Sequence, residues 1–100
     1  REKKLWSQKY CELRYDAEFL CFNVQKKLEF SFCVSGGIIR RCINNEHKYT
    51  FEIVPVSLKK KKKMVYTFYA SSKEEMSRWM KEIVNQGAEL KEPRVSFPIQ

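Results

Sequence analysis

The apolar pattern of this chain changes period once, at residue 72, and that change limits the folds open to it. From residue 72 onward, Ser72-Lys73-Glu74-Glu75 reads as a capping box, a hydroxyl for the free amides of a first helical turn with a glutamate three residues on to reach back. Glu74 and Glu75 also suit the positive end of a helix dipole. Met76, Trp79, Met80, Ile83 and Val84 then recur at three- and four-residue intervals, which makes one apolar stripe. Gly87 is placed to end the helix in a left-handed conformation. A helix over residues 72–86 is therefore expected, with Trp79 buried.

Before residue 72 the period is two. Residues 6–13 set Cys11 and Leu13 against Tyr10 and Glu12, and residues 19–24 (FLCFNV) form a short apolar run of strand length. Gln25, Lys26 and Lys27 make a connection short enough for an antiparallel hairpin. Residues 28–34 alternate again, and Ser35-Gly36-Gly37 ends the run with turn chemistry. Residues 38–43 read as a weaker strand and residues 49–56 as the next, with Tyr49, Phe51 and Ile53 on one face. Pro55 predicts fraying or an edge position there. After an unbroken run of five lysines, residues 64–70 form the last strand, rich in the Val, Tyr, Thr and Phe that pleated surfaces favour. Short antiparallel strands followed by a single helix point to a mainly β domain, a bent sheet whose open end the helix plugs. Residues 88–100 carry two prolines and no clear period, and read as a tail or an added edge segment.

One hundred residues suffice for one core. The four cysteines, Cys11, Cys21, Cys33 and Cys42, are singly spaced and, with His47 the only histidine, do not make up the close ligand pairs of a zinc site. They are expected to be reduced, unpaired core residues holding no metal, with a disulfide among them as the alternative that spacing leaves open. Neither a signal peptide nor an apolar stretch of membrane-spanning length is seen, so membrane contact is expected to be peripheral only. The net charge of +8 raises the local concentration of polyanions without choosing among them.

The order of these segments resembles the pleckstrin homology (PH) domain. Trp6-Ser7-Gln8-Lys9-Tyr10-Cys11-Glu12-Leu13 resembles the family's second strand, Phe19-Leu20-Cys21-Phe22 its third, Tyr49-Thr50-Phe51-Glu52-Ile53 its sixth, and Tyr66-Thr67-Phe68-Tyr69-Ala70-Ser71-Ser72 its seventh running into the helix. Residues 74–83 are similar to the family's helix, with Trp79 as its tryptophan. The resemblance implies a PH-like bent β-sandwich or barrel of antiparallel strands capped by a C-terminal helix, over residues 1–87. It departs at the start, where the chain reaches Trp6 without the family's first strand. Either that strand precedes Arg1, or the domain is split or incomplete, or the tail around residues 95–99 takes its place.

The resemblance also implies where function sits. Family members that bind phosphoinositides do so at the open end, among the loops joining strands one to two, three to four and six to seven. By order, those loops hold Lys3 and Lys4, then Lys26 and Lys27, then Lys59, Lys60, Lys61, Lys62 and Lys63, with Lys9 on the adjoining strand. Phosphates call for several converging cationic donors. The expected function is thus a cytoplasmic module, recruited to the inner face of membranes by anionic phospholipid headgroups within a larger signalling protein. Selective family members carry a basic-x-Arg pair that aligns here with Ser7 and Lys9, so broad affinity is expected over selection of one stereoisomer. The alternative is a protein-interaction module of the shared PH/phosphotyrosine-binding superfold, with a peptide added along residues 38–43 and Arg40 or Arg41 meeting a phosphate. Arg40 and Arg41 otherwise read as solvated, and His47 as polar surface in a turn. Nucleic-acid binding is disfavoured because the aromatics fall on core faces and are not interleaved with the basic residues. Catalysis is not expected, for want of a triad, a glycine-rich phosphate loop or metal-ligand spacing, and no cofactor is implied.

Overall fold

In the computed structural model, residues 6–43, 46–56 and 64–95 are described. Among the described residues, six antiparallel strands precede the helix: β1 (Tyr10–Leu13), β2 (Glu18–Phe22), β3 (Leu28–Cys33), β4 (Ile38–Ile43), β5 (Thr50–Val54) and β6 (Tyr66–Tyr69). Helix α1 (Lys73–Asn85) follows, and then two short strands, β7 (Glu89–Leu90) and β8 (Arg94–Val95). One sheet has the order β1-β2-β3. The other runs β6-β5-β4-β7, with β8 also on β4.

Local chemistry explains the connections. Asn23 builds the β2–β3 turn: its side-chain oxygen accepts from the amides of Gln25 at 2.9 Å and Lys27 at 3.1 Å. Lys26 takes a left-handed φ of 66° within it. The β3–β4 turn uses Gly36 at φ 78°, and Gly37 has no room for a side chain, since a Cβ would lie 2.8 Å from the Val54 carbonyl oxygen. Strand β5 stops at Val54, before Pro55. It is not the edge that the proline suggested: β4 and β6 flank it, and Pro55 lies beyond the ladder, where no amide is required.

The helix begins where its capping signal lies. Ser72 Oγ accepts from the Glu75 amide at 3.1 Å, but the Glu75 carboxylate reaches one residue further back, to the amide and hydroxyl of Ser71 at 3.0 and 2.9 Å. Those bonds from Ser71 hold the Glu75 carboxyl below its ordinary range. Gly87, at φ 110°, ends the helix, and its amide donates to the Val84 carbonyl at 2.9 Å. Met76 and Ile83 from the stripe enter a core of Phe19, Cys21, Val34, Ile39, Phe51 and Ile53. Trp79 does not follow them fully. It is half-buried, packed against Phe19 at a ring separation of 5.7 Å, because its other side opens on a cleft described below.

One further expectation is corrected, and a second falls mostly outside the described residues. Cys33 is exposed at the end of edge strand β3, whereas Cys21 and Cys42 are buried and Cys11 is half-buried; all four are free thiols. Of residues 95–99, the stretch considered for the place of a first strand beside β1, only Val95 lies within the described residues, and it joins β4. Residues 89–95 run parallel to β4 on the other sheet, pairing Ile38 with Glu89, Ile39 with Leu90, Cys42 with Arg94 and Ile43 with Val95.

Candidate functional site

Three of the lysines assigned to the basic end are described, and the folding of their segments sets their positions. The antiparallel register pairs Tyr10 with Phe22, so Lys9 faces the β2–β3 turn that carries Lys26 and Lys27. The Asn23 hydrogen bonds leave both turn lysines exposed. Lys9 is different. It is only partly exposed and forms an ion pair with Glu29 on β3, a residue that sequence reasoning passed over. Its parity on the strand located Lys9 but carried no information about a partner twenty residues away. Lys3, Lys4, Lys59, Lys60, Lys61, Lys62 and Lys63 lie outside the described residues.

The beginnings of two strands meet beside this end. Strand β3 leaves the Lys26–Lys27 turn at Leu28, and β6 begins at Tyr66, just after the connection that holds the lysine run. Tyr66 stacks on Phe30 at 5.0 Å and on Phe32 at 4.3 Å. Between the outer edges of β1 and β6 lies a cleft of about 650 Å³, walled by Lys9 and Cys11 on one side, Thr67 and Tyr69 on the other, and floored by Phe19 and Trp79. Trp6 closes one end by setting its edge against Tyr69 and His47, both at 4.9 Å. His47 stacks flat on Tyr69 at 3.6 Å, so it belongs to an aromatic cluster and is not the bare polar surface expected of it.

A second charged group lies on the opposite side of the five-stranded sheet and was not anticipated. Glu52, in the middle of β5, is only 4% exposed. Arg94 from β8 reaches across β4 to hydrogen-bond its Oε1 at 2.7 Å. Arg40 on β4 approaches its other oxygen to 3.4 Å, an ion-pair distance without hydrogen-bond alignment. The Cys42 thiol donates to Oε1 at 3.2 Å. Burial pushes the Glu52 carboxyl up, but Arg94, Cys42 and Arg40 outweigh it and hold it below the ordinary glutamate range. Burial and the adjacent carboxylate push the Cys42 thiol up to about 11. Arg40 is thus half-buried and engaged, contrary to the solvated reading, while Arg41 is exposed as that reading has it. The legible signal was Glu52 itself, an acid within a strand of otherwise core-forming residues.

Among the described residues there is no group of three His, Cys, Asp or Glu side chains that could hold a metal ion. No described helix is long and apolar enough to cross a membrane. No curated protein matches the chain in sequence. The family model of the PH domain matches residues 1–88, and the two sheets with their C-terminal helix are the architecture that this match requires. The chain belongs to the PH domain family.

Proposed function

We propose that this PH domain, a membrane-targeting or protein-interaction module by family, binds anionic phospholipid headgroups through its basic end. Lys9, Lys26 and Lys27, with Lys3, Lys4, Lys59, Lys60, Lys61, Lys62 and Lys63, form that surface in this reading. The observation that carries it is the meeting of the Lys26–Lys27 turn with the start of β6 at the Phe30–Tyr66 stack, since the lysine run lies directly ahead of β6 in the sequence. Selectivity among phosphoinositides is broad. Lys9 is already paired with Glu29, and Ser7 offers no cation beside it. Each basic residue near an anionic leaflet contributes about 1 kcal/mol, so the five-lysine run outweighs any single pocket lysine.

Sedimentation with vesicles of phosphatidylcholine alone, with phosphatidylserine, or with phosphatidylinositol phosphates tests this reading. Binding is expected to both anionic compositions and to weaken as salt is raised, because exposed charges are screened over about 8 Å at physiological ionic strength. Replacing the five lysines of residues 59–63 by serine lowers binding to all anionic vesicles, whereas Lys9→Ala has a smaller effect, confined to polyphosphorylated headgroups. Vesicle binding untouched by both changes defeats the lipid reading. The peptide reading meets a physical obstacle on β4, because the edge it requires is already paired with residues 89–95.

A further inference from the structure

We propose that Cys11 and Cys21 form a peroxide-responsive dithiol that closes into a reversible disulfide across β1 and β2. The two residues are direct partners in the antiparallel register, and their sulfurs are 3.7 Å apart. The Arg14 amide donates to the Glu18 carbonyl, so Arg14 and Glu18 are a hydrogen-bonded pair of the same ladder. Counting along the ladder, Leu13–Phe19 and Cys11–Cys21 are non-hydrogen-bonded pairs. Such pairs bring their Cα atoms to about 4.5 Å, within the range of about 4.4–6.8 Å that a disulfide spans. Bond formation therefore calls for rotation of two side chains and leaves the strand pairing in place.

The two thiols are placed for different roles. Cys11 is half-buried and opens on the cleft between β1 and β6, where a small oxidant can reach it. Cys21 has no exposed surface and lies behind it. The two sulfurs are within hydrogen-bonding reach, with either able to donate; this contact with Cys21 lowers the Cys11 pKa, burial opposes that shift and nearby Lys9 assists it. The same hydrogen bond and burial raise Cys21. The accessible thiol is thus the one favoured as thiolate, the nucleophilic form. Neither remaining cysteine has this arrangement: Cys33 is exposed without a neighbouring thiol among the described residues, and Cys42 is buried with its proton directed at Glu52.

The chemistry balances with hydrogen peroxide as oxidant. Cys11 thiolate attacks one peroxide oxygen, the O–O bond breaks, and Cys11 sulfenic acid and hydroxide form, the latter taking up the thiol's proton as water. Cys21 sulfur then displaces the sulfenic oxygen, its proton leaves with that oxygen as a second water, and the S–S bond forms. Two thiols lose two electrons and one peroxide is reduced to two waters. A thiol reductant reaching Cys11 from the cleft reverses the step by exchange.

The test is peptide mapping of the full chain after peroxide treatment. Trypsin leaves Cys11 in residues 10–14 and Cys21 in residues 15–26. The expected product is a linked pair of these peptides, two hydrogens lighter than their sum, from protein that stays monomeric on a non-reducing gel and regains its thiols with dithiothreitol. Two of the four thiols should disappear together. In Cys21→Ala, dimedone should trap a sulfenic acid on Cys11. The proposal is overturned if the two peptides stay unlinked after Cys33 has been oxidised, or if dimedone labels Cys33 and spares Cys11.

Discussion

The two sides of the five-stranded sheet finish in opposite ways. On the five-stranded sheet, the edge of β4 is covered by residues 89–95, whose amides continue the ladder: Glu89 donates to Gly37 at 2.8 Å and Lys91 to Ile39 at 2.9 Å. On the other side, the outer edges of β1 and β6 face each other across the aromatic cleft, and among the described residues neither carries a further strand. The covering segment is itself almost wholly exposed, so apolar burial does little to hold it. Main-chain pairing and one guanidinium on a buried carboxylate hold it instead. An edge can therefore be closed by few contacts when one of them neutralises a buried charge, whereas the cleft floored by aromatic rings has no such cover among the described residues.

The sharpest way to break this comparison is to remove a large side chain from each side. Ile39, fully buried on β4 beneath the covered edge, should cost about 2–5 kcal/mol as Ile39→Ala, read from urea unfolding. Trp79→Ala removes a larger side chain but should cost less, since that ring is only partly buried and borders the cleft. An equal or greater loss for Trp79→Ala would mean that the cleft side is packed as tightly as the covered one.

A smaller effect is expected from Arg94→Ala. Its side chain is 46% exposed, so the charged hydrogen bond to Glu52 must be discounted for solvent screening, to about 1 kcal/mol. The diagnostic readout is hydrogen exchange. The amides of Glu89 and Lys91 should exchange faster, while those of central strand β5 keep their protection. Loss of protection along β5 as well would show that the tail is part of the core and not a cover on it.

The smallest signal is the pH dependence of that difference. The folded pKa of Glu52 lies below its ordinary value of 4.5, so its contribution is fully present above 4.5 and is lost as pH falls through the folded value. The gap between wild-type and Arg94→Ala unfolding midpoints should accordingly narrow as pH is lowered below 4.5. A gap that persists unchanged into acid would detach Arg94 from the Glu52 carboxylate.

Much of this molecule was legible along the chain. The helix bounds came from a serine, two glutamates and a glycine, because capping and left-handed termination are satisfied by residues next to the element itself. The six strands before it followed from alternation and turn residues for the same reason, and with the order of segments they carried the family resemblance. Of the site, the sequence placed lysines in the β2–β3 turn, whose shape Asn23 sets locally. What it could not supply were partners distant along the chain: Glu29 for Lys9, Arg94 for Glu52, Tyr69 for His47, Cys21 for Cys11. Nor could it say which edge the C-terminal residues would join. Alternation reports which face a side chain takes, but register and sheet neighbours are set by long-range pairing, where the gain comes from contacts that no local window contains. The hydrophobic period and the caps were therefore determined by sequence alone; the paired thiols and the covered edge were decided by strand register within each sheet, and the open cleft only when the two sheets came together.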